Sequence, residues 1–329
     1  MREGVACRVT AKKKRFMVIT GVVLLFLLGL AVCYYTGVAV FKSAMQLSTN
    51  EATSSARMES FLQERGFALA HFKEEYIIET VSIPSTLDGH LIPADFISVD
   101  GNWDEDTVIM VHGLGGSRIS VYPWAEVFLK NGYNVVAYDQ RSAGENTAPY
   151  TTFGYLESHD LRDYVDYVKT KLSAGKKIGA WGVSYGGATV GIYLGSPHAN
   201  ANLDFAIIDS PVSSMRQMMA EGMANMDLGG IPVGFLMAMG NLMTRWKLGF
   251  SYEDAEVARH IGKTQVPVLV IHSRADVVTP YFMGRDLYAA VPHGKKRMYT
   301  VEDSAHADVF FDDPENYEKE VVGFINQVR

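Results

Sequence analysis

The sequence predicts an α/β protein with a mostly parallel sheet and helices on both faces, and three observations carry that reading. Short continuous apolar runs such as Thr107-Val108-Ile109-Met110-Val111 and Asn134-Val135-Val136-Ala137-Tyr138 lack the in-out alternation of a half-exposed strand, as expected for strands covered on both sides. Helical stretches fall between those runs, the alternation that builds parallel sheets. One run, Lys177 to Val183, ends in Gly182-Val183-Ser184-Tyr185-Gly186-Gly187 and continues into small and apolar residues, which reads as strand, sharp turn, helix.

The 329-residue chain carries a net charge of -7, and residues 1–15 hold Arg2, Arg8, Lys12, Lys13, Lys14 and Arg15 against Glu3 alone. The remainder is therefore strongly acidic, which argues against nucleic acid as a partner. Residues 16–41 contain no charge, enough to span a bilayer. With the basic cluster before the span and only Lys42 just after it, the positive-inside rule predicts a cytoplasmic segment 1–15, a transmembrane anchor 16–41 and an extracytoplasmic body held at the cell membrane. A signal peptide cleaved after Gly37-Val38-Ala39, with a secreted body, stays open as the alternative. Both cysteines, Cys7 and Cys33, lie in this segment, so the body has no disulfide and no cysteine nucleophile.

Residues 42–75, with Met58, Phe61, Leu62, Leu69 and Phe72 as an intermittent apolar stripe, read as a helical stalk or packing arm whose role is connection. The catalytic body is expected over 76–329. Tyr76–Ile83 and Leu91–Val99 flank Asp88-Gly89 as a hairpin. Helices are expected over Tyr122–Asn131, Leu156–Leu172 and Pro314–Arg329, and further strands at Ile178–Val183, Phe205–Asp209, Val268–His272 and Arg297–Val301. Between Asp209 and Val266 the alternation breaks. Eight of the chain's 15 methionines fall there, from Met215 to Met243, and the segment of about 212–262 is expected to be a helical cap over Ser184, with flexible, polarisable side chains suited to apolar ligands. Arg216, Glu221, Asp227, Arg245 and Lys247 leave it no uninterrupted membrane span.

A Gly-x-Ser-x-Gly elbow lifts the serine hydroxyl above the sheet edge in a strained backbone conformation, and the glycines let strand and helix cross closely. A serine nucleophile needs a base, and the base needs an orienting carboxylate. Asp276, in Ser273-Arg274-Ala275-Asp276-Val277-Val278-Thr279-Pro280, and His306, in Asp303-Ser304-Ala305-His306, each follow a predicted strand. Both therefore fall at the carboxyl edge where open α/β sheets place their sites. Asp209, which also ends a strand near the elbow, is the runner-up for the acid. The loop His112-Gly113-Leu114-Gly115-Gly116 is assigned to the oxyanion hole, with the Leu114 and Tyr185 backbone N–H groups facing the developing charge. His112 then shapes the loop, and Asp139 and Arg141 form a structural turn and ion pair.

Through these motifs the chain resembles α/β-hydrolases of the serine aminopeptidase-like or lysophospholipase-like branch, and is similar to their membrane-anchored bacterial members, over roughly residues 76–329. It departs at Asp139-Gln140-Arg141-Ser142, where many relatives carry Gly directly after Arg. The resemblance implies an α/β-hydrolase fold with a helical cap insertion and no metal or organic cofactor. The expected activity is hydrolysis of carboxylic esters of apolar acyl or alkyl groups through an acyl-enzyme. A short-peptide substrate and, in a different class, a non-catalytic surface binding protein remain as alternatives.

Overall fold

A computed structural model describes residues 2–328, with side chains from Lys13 onward. The side chains of Arg2, Arg8, Lys12 and Cys7 lie outside the described residues. In chain order the elements are α1 (Arg2–Met45), α2 (Ser55–Glu64), α3 (Leu69–Glu75), β1 (Ile77–Pro84), β2 (Leu91–Ser98), β3 (Thr107–Val111), α4 (Tyr122–Leu129) and β4 (Asn134–Tyr138). They continue with α5 (Glu157–Lys169), β5 (Ile178–Val183), α6 (Tyr185–Tyr193), α7 (Pro197–Asn202), β6 (Phe205–Asp209), α8 (Met215–Ala224), α9 (Val233–Leu248) and α10 (Val257–Ile261). The chain closes with β7 (Val268–Ser273), α11 (Phe282–Ala290), β8 (Lys296–Val301), α12 (Val309–Asp312) and α13 (Pro314–Val328).

The eight strands form one sheet in the order β1-β2-β4-β3-β5-β6-β7-β8. β1 and β2 pair antiparallel around the Asp88-Gly89 turn, β2 pairs antiparallel with β4, and every later pairing is parallel. Strands β3 to β7 are buried along their whole length, which is why they read as unbroken apolar runs. The fold is therefore the α/β-hydrolase fold that the motifs imply, with a mostly parallel sheet between helices.

The chain divides into two compact units, the larger of residues 45–219 and 252–329, the smaller of the chain up to Ala44 together with Ala220–Ser251. In the larger unit Trp181, Phe205, Phe128 and Tyr317 anchor a core that also takes in Met58 and Leu62 of α2 and Phe72 of α3. The segment read as a helical stalk or packing arm thus packs into the hydrolase core. The reason is the apolar stripe itself: Phe72 stacks on Tyr122 with ring centroids 4.9 Å apart, and Leu62 and Phe72 are fully buried.

In the smaller unit, α1 is long and apolar enough from Lys13 to Met45 to cross a membrane. The contact of residues 220–251 with it was not visible in the sequence. Gly37 of α1 lets the chain of α9 come close: a Cβ at that position would lie 3.0 Å from the Met239 carbonyl oxygen and 3.4 Å from Met243 Cε.

Candidate active site

β5 delivers Ser184 to the edge of the sheet, and α6 starts on the next residue. Ser184 sits at φ 55° and ψ -117°, a region that a residue with a Cβ occupies only when its surroundings impose it. Here the glycines impose it. A Cβ on Gly182 would run into the Gly186 backbone, and one on Gly186 into the Val111 and His112 carbonyl groups. The Ser184 N–H donates to the Asp209 carbonyl at 2.8 Å, which ties the elbow to the end of β6.

The structure brings Ser184, His306 and Asp276 into one hydrogen-bonded line. His306 Nε2 lies 2.9 Å from Ser184 Oγ, and His306 Nδ1 lies 2.7 Å from Asp276 Oδ2. That geometry fixes the tautomer, with Nδ1–H donating to the carboxylate and Nε2 free to accept the serine proton. Asp276 Oδ1 accepts from the Val278 and Thr279 N–H groups at 2.9 and 2.8 Å. Burial pushes the Asp276 carboxyl up, but the hydrogen bond and charge of His306 together with the Thr279 donors outweigh it and hold it below the usual carboxylate range. The group stays ionised opposite the imidazole.

Asp209 does not reach His306 by a hydrogen bond. Its Oδ2 accepts from the Tyr317 hydroxyl and its Oδ1 from the Ser210 hydroxyl. Burial pushes it up to about 6 against the lowering effect of those two donors.

His112 is a loop residue held in one tautomer: its Nε2 accepts from the Gln140 N–H at 2.9 Å, leaving Nδ1–H to donate to the Gly113 carbonyl at 2.7 Å. Gln140 in turn donates to the His112 carbonyl and accepts from Thr189 on α6. The His112–Gly116 loop and the elbow helix are thereby fixed to one another, and a Cβ at Gly113 would lie 3.4 Å from Ser184 Cβ. Tyr185 is the first residue of α6, so its N–H has no acceptor within the helix. Leu114, Ser184 and His306 line the same cavity of about 240 Å³.

One sequence expectation fails here. Asp139 does not pair with Arg141. Its carboxylate takes the side chain and N–H of Arg118 and the N–H of Glu145, while Arg141 pairs with Asp88 and Asp160 at 2.8 and 3.0 Å. Both are buried ionic groups with several donors to satisfy, and only the folded chain brings Arg118 from the loop after β3 to Asp95 and Asp139. Ser142 adopts φ 60° and donates its hydroxyl to the Ser48 carbonyl at 3.1 Å.

Several contributors had not been singled out. Thr279 Oγ1 lies 2.8 Å from Asp276 Oδ2, 3.0 Å from the Ser210 carbonyl and 3.1 Å from His306 Nδ1. His272 Nε2–H donates to the Thr279 carbonyl at 2.7 Å. The spacing Asp276-x-x-Thr279-Pro280 is a turn signature in which Asp accepts from N–H groups two and three residues on, so Thr279 was readable. The wall supplied by Met58 and Phe61 of α2 and by Arg65 just after it carried no such local signal.

The sheet order and the sequence of elements are those of the α/β-hydrolase fold. Residues 106–227 match a family model described as alpha/beta hydrolase fold. The "Uncharacterized protein YqkD" of Bacillus subtilis is 28% identical over 224 residues, covering 68% of this chain and 72% of that protein. The lysophosphatidylserine lipase ABHD12 of Xenopus tropicalis is 23% identical over 231 residues, 65% of this chain and 57% of that one. Among solved structures, the Pyrococcus furiosus esterase Pf2001 superimposes with a TM-score of 0.60 at 22% identity, covering 81% of this chain and 95% of that chain.

Proposed function

We propose that the protein is a serine hydrolase that cleaves carboxylic esters of apolar acyl or alkyl groups. The observation that carries this reading is the line Ser184 Oγ, His306, Asp276 at 2.9 and 2.7 Å opening onto a cavity. Ser184 Oγ attacks the ester carbonyl carbon while His306 Nε2 takes its proton. The tetrahedral oxyanion is held by the Leu114 and Tyr185 N–H groups. Its collapse breaks the bond to the alcohol oxygen, which leaves with the proton from His306. Water then repeats the sequence on the acyl-enzyme, releasing the acid and restoring Ser184.

The substrate class is argued from the lining. Met58, Phe61, Leu114, Val121, Trp124 and Val183 supply apolar surface, with Arg65 and the catalytic His306 beside them. Among the described residues no carboxylate lines this cavity to grip the ammonium of a peptide amino terminus, which favours ester over aminopeptidase substrates. Met58 and Phe61 of α2 contribute to that apolar surface. That Pf2001 is an esterase and ABHD12 a lysophosphatidylserine lipase agrees with this choice.

For localisation, the reading is a single-pass anchor with the body extracytoplasmic, motivated by Lys13, Lys14 and Arg15 before the uncharged span and the exposed apolar side chains of α1. Labelling the purified chain with a fluorophosphonate, with and without Ser184→Ala, tests the enzyme reading. Labelling that persists in the variant, or never occurs in the wild type, overturns it.

A further inference from the structure

We propose that α9 dips into the outer leaflet beside the anchor, its Leu242 and Trp246 side facing lipid, so that the insertion 220–251 makes a second contact with the membrane. The inference rests on the anchor reading of α1 given above.

Three features of the smaller unit lead there. Residues 228–244 carry no charge, although α9 is not a buried helix. Leu236, Gly240, Met243 and Thr244 are its buried residues, whereas Leu242 and Trp246, one turn apart, are 62% and 70% exposed. A helix of a water-soluble surface carries charge on its outer side; this one carries apolar bulk there, with Arg245 and Lys247 in the last turn.

The second feature is where α1 changes character. From Phe16 to Tyr35 its large apolar side chains are exposed, and from Gly37 onward Val40, Phe41 and Ala44 are buried. At 1.5 Å per residue the stretch from Phe16 to Thr36 is about 30 Å long, the thickness of the hydrocarbon core. Protein contacts therefore begin where lipid ends.

The third is that α9 docks at this boundary. Met239 and Met243 approach Gly37, and Lys247 Nζ lies 5.1 Å over the Phe41 ring. From one contact to the next, both helices advance in the same chain direction. α9 therefore runs alongside α1, with its uncharged turns towards the hydrocarbon and its Arg245 and Lys247 end towards the phosphates. Leu242 falls at the boundary, and Trp246 at headgroup depth, where the amphipathic indole is favoured.

The experiment uses the full chain with Cys7→Ser and Cys33→Ala, reconstituted in phosphatidylcholine/phosphatidylglycerol vesicles. A nitroxide is placed in turn at Leu242→Cys, at Leu30→Cys in the anchor and at Val99→Cys on the hydrolase body. Collision with oxygen, which partitions into lipid, is compared with collision with a water-soluble nickel complex. The expected result is an oxygen-to-nickel ratio at Leu242 several-fold above that at Val99 and approaching that at Leu30. A water-like ratio at Leu242 with a lipid-like ratio at Leu30 overturns the inference while leaving the anchor intact. An immobilised label at Leu242 reached by neither reagent means that a protein covers the face, and also overturns it. A water-like ratio at Leu30, or a chain that leaves the vesicles in carbonate, overturns the anchor reading and this inference with it.

Discussion

Tyr317 on α13 donates its hydroxyl to Oδ2 of Asp209 at 2.9 Å, and this one bond separates the two candidate acids. With Ser210 on its other oxygen, Asp209 is a buried member of the core, while Asp276 is the carboxylate in contact with His306. Asp276→Asn is expected to lower kcat by up to about four orders of magnitude, because the amide stabilises neither the needed tautomer nor the imidazolium. Asp209→Asn should lower it far less. Steady-state kinetics on folded variants checks the ranking, and the reverse order transfers the role to Asp209.

Asp209 also makes a prediction in pH. Its carboxyl is pushed from 3.8 in the unfolded chain up to about 6 by burial, so between those values the folded state holds more protons than the unfolded one. Its contribution to stability is complete below about pH 4 and is lost as pH rises to 6, by roughly 3 kcal/mol at most. Urea unfolding in detergent at pH 4.5 and 7 should show Asp209→Asn gaining on the wild type as pH rises. An unchanged difference would contradict a carboxyl raised by burial.

Thr279 touches both Asp276 and His306 through its hydroxyl and so acts by positioning them. Thr279→Val should lower kcat about 10- to 100-fold, the effect of one hydrogen bond to a charged group, with KM nearly unchanged. Thr279→Ser should restore most of the loss. A fall of equal size in the serine variant would point to packing by the methyl group instead.

Arg118 is buried among Asp95, Asp139 and the more exposed Glu145. Replacing it by Met leaves buried carboxylates without their cation, and a loss of about 3–5 kcal/mol is expected. Denaturant midpoints measure it; a loss below 1 kcal/mol would mean that water enters the cluster.

The cavity predicts a chain-length dependence. Each buried CH₂ contributes about 0.8 kcal/mol, so kcat/KM on p-nitrophenyl esters should rise about 4-fold per carbon until the cavity is filled and then fall. Phe61→Ala should move that maximum to longer chains. A flat response, with faster cleavage of aminoacyl amides, would favour the peptidase alternative.

What the sequence by itself determined was whatever depends on near neighbours in the chain. The runs Thr107–Val111, Asn134–Tyr138, Ile178–Val183 and Phe205–Asp209 are strands with those same bounds, since burial on both faces selects apolar residues without a break. The elbow was legible because Gly182 and Gly186 meet backbone within a few residues or on the next strand. Ser184, Asp276 and His306 could be named because a parallel sheet puts the carboxyl ends of its strands on one edge. Tertiary structure alone decided which charges meet. Arg118 pairs with Asp139 and Arg141 with Asp160 because partners many residues apart are set by packing, which leaves no spacing to read. It also turned the stripe of Met58 and Phe61 from a connector into a cavity wall, and laid Met239 and Met243 on Gly37. A side chain's pattern tells that it is buried, and only the fold tells against what.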